Sequence, residues 1–166
     1  MISGCSGGGK SSLVRELAAR GYATFDEPGR RVIANQRHNG GRAYPWIDMA
    51  AFAYEALALA CADLDAADAC HSDLVFFDRS AIDAIVALRH IGMDVPDGIF
   101  PYDELVFLAP PWPDIFITDD DRRHDFPAAE AEYERLVLDY GARGHRLAIL
   151  PRIPVAERAD FVLATI

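Results

Sequence analysis

A glycine-rich loop near the start of the chain constrains the fold more than any other feature of the sequence. Residues 4–11 read GCSGGGKS and match the pattern G-x-x-x-x-G-K-[ST] at every position. Glycines let consecutive backbone N–H groups turn inward around an oxyanion, at φ values that a Cβ would forbid. Leu13, Val14 and Leu17 continue as the apolar face of a helix, whose positive end favours an anion. The pattern predicts a phosphate-binding loop; a flexible loop that happens to end in Lys-Ser is the alternative.

The same pattern predicts the ligands of the loop. Lys10 is expected to face solvent in the empty protein and to reach the β- and γ-phosphates, while the Ser11 hydroxyl coordinates Mg²⁺. No guanine-reading Asn-Lys-x-Asp motif occurs in the sequence, which favours ATP over GTP. The expected nucleotide-binding residues of the loop are Gly4, Cys5, Ser6, Gly7, Gly8, Gly9, Lys10, Ser11 and Ser12.

Apolar runs and helical patterns alternate along the rest of the chain. Runs rich in β-branched and aromatic residues predict strands at 22–26, 74–78, 104–109 and 146–151. Helical patterns cover 10–20, 29–37, 47–69, 80–91, 121–140 and 154–163. Continuous apolar strands separated by helices are typical of a parallel sheet covered on both faces. We expect one α/β domain over residues 1–166 with a five-stranded parallel sheet ordered 2-3-1-4-5. Because only three residues precede the loop, the first strand should be short or truncated.

Composition narrows the possible partners and the setting. The net charge of −10 disfavours nucleic acid or an anionic membrane as a partner. No apolar run approaches the roughly 18 residues that a membrane span needs, and no signal peptide is expected. The three cysteines form no CxxC pair, which favours a reducing cytoplasm without a disulfide framework or zinc site. We expect a cytoplasmic protein with a small-molecule partner; the oligomeric state is not predicted.

A first carboxylate motif, FDEPGR at residues 25–30, closes the second strand. Ligands of doubly wound sheets bind at this end of the strands. A hydroxyl acceptor needs a carboxylate that orients it and takes its proton, and we expect Glu27 to be that group. Asp26 is the competing candidate and should point to the other side of the strand. The alternative for Glu27 is an acidic residue in the first turn of the next helix.

A second carboxylate motif, FFDRS at residues 76–80, closes the third strand. Asp78 follows the apolar residues directly, where a carboxylate that organises Mg²⁺ would lie. Ser11 and Asp78 are therefore the predicted metal ligands, with a helix N-cap as the alternative role for Asp78. Arg79 is either a clamp for the acceptor or an ion-pair partner of Asp83.

These motifs resemble the NadR-like family, AAA-labelled P-loop proteins that include the nicotinamide riboside kinase domain. Glu27-Pro28-Gly29-Arg30 matches the Glu-x-Gly-Arg of that family, and Asp78 matches the Asp that closes its third strand. Residues 107–123, FLAPPWPDIFITDDDRR, are similar to its strand–PPWP–DD–R region. The closing segment, residues 150–163, also looks like family members. The resemblance covers nearly the whole chain and implies a three-layer P-loop kinase fold.

The resemblance to kinases also implies a lid and two further contact regions. The lid would span about residues 110–127, and lid arginines neutralise charge on the transferred phosphoryl group. The alternative for the charge run at 119–124 is a solvated face. Arg152 and Pro154 occupy the usual position of an adenine-contacting loop, with a simple helix cap as the alternative for Arg152. Trp46 could stack on an acceptor ring, although the segment 46–54 also reads as core.

The expected function is that of an ATP-dependent kinase. It would transfer the γ-phosphoryl group of Mg·ATP to a hydroxyl of a small acceptor, of which a nucleoside is one candidate. The expected catalytic residues are Lys10, Glu27, Asp78, Arg122 and Arg123, and the expected acceptor-side residues are Asp26, Arg30, Trp46 and Arg79. The alternative is a nucleotide-dependent ATPase or GTPase switch that has no phosphoryl acceptor.

Overall fold

The computed structural model describes residues 1–121 and 123–166, in which each strand is followed by at least one helix. The strands are β1 (Ile2–Gly4), β2 (Ala23–Phe25), β3 (Val75–Phe77), β4 (Leu105–Ala109) and β5 (Arg146–Ile149). The helices are α1 (Lys10–Ala19), α2 (Pro28–Asn39), α3 (Met49–Ala69), α4 (Ala81–His90), α5 (Phe126–Ala142) and α6 (Val155–Thr165). A 3₁₀ turn, Pro113–Ile115, lies between β4 and α5.

The strand pairs are parallel, as predicted, but the described strands form two sheets. One sheet has the order β1-β4-β5, and the other pairs β2 with β3. A single parallel bridge between Ile2 and Asp78 connects them, where the Arg79 N–H donates to the Ile2 carbonyl at 2.8 Å. The prediction of one five-stranded sheet is therefore not met. The bridge joins the first residue of β1 to Asp78, which follows the last residue of β3, so the two strands do not pair along a ladder.

The position of strand β4 between helices on both faces explains why its sequence is a continuous apolar run. Leu105, Phe107 and Ala109 belong to a core cluster that also contains residues of α1 and α6. Val106 and Leu108 point to the opposite face and join a cluster with residues of α4 and α5. Successive strand residues alternate between faces, so a strand covered on both faces is apolar at every position. The described chain thus has helices on both sides of its sheets, the three-layer arrangement that was expected.

Helix boundaries follow from their caps. The Ser80 hydroxyl accepts from the backbone of α4, and the Asp83 carboxylate accepts from the Ser80 N–H, which forms a capping box. Helix α5 begins at Phe126 because the Asp125 side chain caps the Ala128 N–H. The prediction that this helix starts at residue 121 is therefore wrong, and Asp121 lies in the preceding connection. Within the described residues, no helix has the length and apolar character required to cross a membrane.

Candidate nucleotide and acceptor site

The glycine-rich loop connects β1 to α1 and is pinned against the end of β4. The Cys5 N–H donates to the Ala109 carbonyl at 2.8 Å, and the Gly8 N–H donates to the Cys5 carbonyl at 3.0 Å. Gly4 has a φ of 109°, and a Cβ there would lie 2.4 Å from the Ala109 oxygen. Gly9, which precedes α1, has a φ of 80°. The loop therefore needs glycine for close approach and for left-handed backbone, as a phosphate-binding loop does.

Lys10 is buried, with 5% of its surface exposed. Its ammonium donates to the carbonyl oxygens of Gly4, at 3.1 Å, and of Cys5, at 2.8 Å. Burial lowers the pKa of Lys10 and the nearby Arg79 lowers it further, while Asp78 is the largest influence that raises it. The prediction that Lys10 faces solvent is wrong, because its long stem folds back over its own loop and its donors find carbonyl partners there.

Asp78 lies beside Lys10 and Ser11 at the end of β3. It is 2% exposed. Burial and, to a smaller extent, the charge of Glu27 raise the pKa of its carboxyl to about 6, against the opposing influence of Lys10 and of a hydrogen bond with the Ser11 side chain. The Asp78 Oδ1 atom is buried and has no hydrogen-bond partner in the part of the chain that the structure describes. A buried, unsatisfied carboxylate oxygen next to a hydroxyl marks a place that a cation could satisfy.

The donor chemistry at Asp78 and Ser11 fits Mg²⁺. Carboxylate and hydroxyl oxygens are hard ligands, and Mg²⁺ is commonly held by one or two carboxylates together with substrate phosphates and water. Among the described residues, no group of three or more His, Cys, Asp or Glu side chains could hold a metal ion by itself. The two residues would therefore hold Mg²⁺ as part of a nucleotide complex rather than as a separate protein site.

Arg79 connects the loop region to three carboxylates. Its guanidinium lies 3.3 Å from Glu27, 3.2 Å from Asp83 and 2.9 Å from Glu132. Burial lowers the pKa of Arg79, but the surrounding carboxylates outweigh burial and raise it well above its ordinary value. Of the two roles considered for Arg79, the ion pair with Asp83 is thus present, and the acceptor clamp stays a prediction.

The backbone of Arg79 is also unusual. Its φ of 69° is left-handed, which costs a non-glycine residue roughly 1–2 kcal/mol. Strain of this kind is often found at functional sites.

Asp83 and Glu132 were not predicted as site residues. The Asp83 carboxylate accepts hydrogen bonds from the hydroxyls of Ser3, Ser80 and Tyr140, which fix it in front of Arg79. Glu132, on α5, also accepts from the Ser6 N–H of the loop at 3.2 Å. Burial raises the pKa of Glu132, but Arg79 and Lys10 outweigh burial and lower it. The missed sequence signal was a carboxylate near the apolar face that Ala129, Leu136 and Tyr140 define on α5.

A cavity of about 360 Å³ is lined in part by Arg79. Helices α2, α3, α4 and α5 supply an apolar wall that includes Ile33, Met49, Phe52, Val86 and Leu136. The polar lining includes Ser6 of the loop and the charged residues Glu27, Arg30, Arg79, Asp83, Glu132 and Arg135. The cavity therefore joins an apolar chamber to the phosphate loop through a charged boundary, as a site for a small molecule would.

Glu27 is positioned at that boundary. It precedes α2 as the N-cap residue, but its side chain makes no capping hydrogen bond. Instead its Oε1 lies 3.3 Å from Arg79 Nε and its Oε2 lies 3.5 Å from Arg30 Nε. Asp26 is exposed and does not line this cavity. Of the two candidate carboxylates, the structure therefore brings Glu27 to the cavity.

The segment between β4 and α5 contacts α2 through charges and a ring. Arg30 lies 3.6 Å from Asp119 and 3.9 Å from Asp121, and Arg37 also pairs with Asp121. The guanidinium of Arg123 lies 3.9 Å from the centre of the Trp46 ring. The predicted site residue Arg122 lies outside the described residues.

Four further predicted site residues do not line the acceptor cavity: Ser12, Trp46, Arg152 and Pro154. Trp46 stacks instead on Tyr44, with ring centres 5.2 Å apart. Arg152 is exposed in the connection between β5 and α6, and Pro154 is the N-cap residue of α6. Ser12 is exposed on α1.

Comparisons with known proteins agree with this architecture. A family model described as AAA domain matches residues 1–158. A search of curated proteins finds no significant match. Among solved structures, shikimate kinase from Acinetobacter baumannii in complex with shikimate matches with a TM-score of 0.56 and 16% identity, covering 99% of this chain and 89% of that chain. At that identity the likeness concerns the fold alone. The comparisons support a P-loop kinase-like fold and leave the narrower NadR-like membership a prediction.

Proposed function

Because the chain belongs to the AAA domain family and has a P-loop kinase-like fold, we propose that it is an ATP-dependent small-molecule kinase. The observation that carries the proposal is the arrangement around Arg79. Arg79 directly follows Asp78 and lines the cavity of about 360 Å³ together with Ser6 of the phosphate loop and with Glu27, its ion-pair partner. A nucleotide site and an acceptor site that share a charged boundary are what phosphoryl transfer requires.

On the nucleotide side, the loop N–H groups and Lys10 would hold the β- and γ-phosphates of ATP. Ser11 and Asp78 would hold Mg²⁺, which when bound neutralises charge on the phosphate oxygens. The buried Asp78 oxygen without a hydrogen-bond partner supports this assignment. Lys10 would exchange its bonds to the Gly4 and Cys5 carbonyls for phosphate oxygens.

On the acceptor side, Glu27 would take the proton of the acceptor hydroxyl. The acceptor oxygen forms a bond to the γ-phosphorus, the bond from that phosphorus to the β,γ-bridging oxygen breaks, and ADP leaves. Arg79 and Arg30 contact different oxygens of Glu27 and would keep the carboxylate aimed at the cavity. Orientation of this kind contributes to catalysis because it is complete before the reaction begins.

The shape of the cavity describes the acceptor in general terms. Phe52 and Met49 offer apolar surface to a ring or chain. Arg135, Arg79 and the carboxylates paired with Arg79 offer charged partners. An acceptor with one apolar part and hydroxyl groups, such as a nucleoside, fits this lining. Arg122 and Arg123 remain the proposed lid arginines; Arg123 would leave Trp46 to reach a transferred phosphoryl group.

We place the reaction in the cytoplasm, which supplies ATP and keeps thiols reduced. Cys5, Cys61 and Cys70 all carry free thiols.

Replacement of Glu27 by glutamine tests the proposal. The variant keeps nearly the same shape but cannot accept a proton, so it should bind Mg·ATP normally and phosphorylate an acceptor roughly 10²-fold more slowly or worse. Asp26→Asn is the matched control, because Asp26 is the adjacent exposed carboxylate, and it should retain the parental rate. If Glu27→Gln also retains that rate, Glu27 is not the base. If no acceptor is phosphorylated and neither variant changes nucleotide turnover, the switch alternative is the better account.

A further inference from the structure

Arg158 of helix α6 lies against the phosphate loop. Its side chain is buried, with 2% exposed, and its Nη1 donates to the Gly8 carbonyl at 2.9 Å. A Cβ placed on Gly9 would lie 2.7 Å from the same Nη1 atom. A guanidinium from the end of the chain therefore packs directly on the two glycines that precede Lys10.

Among the described residues, the other two guanidinium nitrogens of Arg158 have no hydrogen-bond partner. Its Nε and Nη2 atoms are buried and make no hydrogen bond, and no described carboxylate forms an ion pair with it. Burial lowers the pKa of Arg158, with no opposing influence from a carboxylate. The guanidinium also lies near the ring of Trp112, whose centre is 5.6 Å from the guanidinium carbon. Arg79, by comparison, is paired with three carboxylates.

Such an arrangement is costly unless a ligand completes it. A buried charge without a counter-ion and buried N–H groups without acceptors both destabilise a folded chain. An anion at the loop would supply the missing charge and the missing acceptors. The polyphosphate chain of a nucleotide is an anion of this kind, and the loop beside Arg158 has the geometry to bind it.

We propose that Arg158 is a second cationic binding residue for the nucleotide, whose unpartnered N–H groups donate to an anionic oxygen of the phosphate chain. The inference rests on the proposed binding of ATP at the loop. It assigns to α6 a role beyond the packing that Ala159 and Val162 provide. The sequence signal is an arginine next to Ala159 and one turn before Val162 on the apolar face of the helix.

The test compares Arg158→Met and Arg158→Lys with the parent protein, with Mg·ATP and inorganic triphosphate as ligands in calorimetric titrations. Methionine keeps much of the apolar volume without charge, and lysine restores charge without the planar fork. Arg20→Met is the matched control, because Arg20 also joins α1 to α6, through Asp160 and the Ala156 carbonyl, but lies away from the loop. It therefore reports the effect of loosening the same helix pair.

We expect Arg158→Met to weaken both ligands at least about tenfold, as loss of a charged hydrogen bond implies, and to make affinity less dependent on salt. Arg158→Lys should recover part of the loss, and Arg20→Met should bind like the parent. The melting temperature of ligand-free Arg158→Met should not fall, because an unpaired buried charge has been removed.

The inference would be overturned if Arg158→Met bound both ligands with parental affinity, or if Arg20→Met lost as much affinity as Arg158→Met. Either result would leave the proposal that the loop binds ATP standing. A lower melting temperature of ligand-free Arg158→Met without a change in salt dependence would also overturn the inference, since that combination indicates a structural role. If the parent itself binds neither Mg·ATP nor triphosphate, the proposed function fails, and the inference fails with it.

Discussion

Replacement of Asp78 by asparagine should stabilise the ligand-free protein above pH 6 while it impairs binding of Mg·ATP. The carboxylate is buried at the end of β3 and has one oxygen without a hydrogen-bond partner. Burial raises its pKa from an ordinary value of 3.8 to about 6. The folded protein therefore holds this proton more tightly than the unfolded chain does, and asparagine resembles the protonated form.

The sign and size of the effect follow from that pKa. A group with a raised pKa contributes stability below its unfolded value, near pH 4, and this contribution is lost as the pH rises through about 6. Each pKa unit corresponds to about 1.4 kcal/mol, so the parent should lose up to about 3 kcal/mol that Asp78→Asn retains. For a chain of this size that difference raises the melting temperature by roughly 6–12 °C.

Urea unfolding of the parent and of Asp78→Asn between pH 5 and pH 8, without nucleotide, measures the difference directly. The variant should be more stable at pH 8, and the gap should narrow as the pH falls below 6. Asp26→Asn, an exposed substitution, should stay within about 0.5 kcal/mol of the parent throughout. A gap that is absent at pH 8, or that does not change with pH, would refute the account of Asp78 as a buried carboxylate with a raised pKa.

The remaining predictions concern the nucleotide. Lys10→Ala should lose most of the thermal stabilisation by Mg·ATP, which follows RT ln(1 + [L]/Kd); unchanged stabilisation in a melting assay would contradict the phosphate-loop assignment. Joint replacement of Arg122 and Arg123 by alanine should lower kcat much more than it weakens nucleotide binding, because a lid arginine acts on developing charge; steady-state kinetics in which only KM rises would contradict that role. ATP should bind more tightly than GTP in competition titrations, and a tenfold preference for GTP, about 1.4 kcal/mol, would count against it.

Local patterns in the sequence account for the parts of the fold that were predicted. The glycine spacing predicts the loop because close approach at Gly4 and left-handed backbone at Gly9 are properties of single residues. The continuous apolar run of β4 predicts burial on both faces, and its alternate residues do enter different clusters. The acidic run before α5 resembles a first helical turn and so predicts too early a start, whereas Asp125 is the residue that caps the helix.

Residues that reach the site from distant helices could not be placed in the same way. Glu132 contacts Ser6 across 126 positions of sequence, and Arg158 contacts Gly8 across 150. Their contacts depend on how α5 and α6 pack, which no local pattern states. Each carried a weaker signal, a charged residue beside the buried positions of a helix. The burial of Lys10 likewise depends on the loop conformation, which brings the carbonyls of Gly4 and Cys5 within reach of its ammonium.

Transfer of labelled γ-phosphate to an acceptor tests the central claim most directly. The purified protein would be incubated with γ-labelled Mg·ATP and a panel of nucleosides, other ribosides and vitamins with free hydroxyl groups, and the label would be followed in acceptor and in inorganic phosphate. We predict that at least one acceptor becomes labelled, in a reaction that Glu27→Gln slows and Asp26→Asn does not. Label that appears only as inorganic phosphate, at a rate that no acceptor and neither variant changes, would contradict the kinase account.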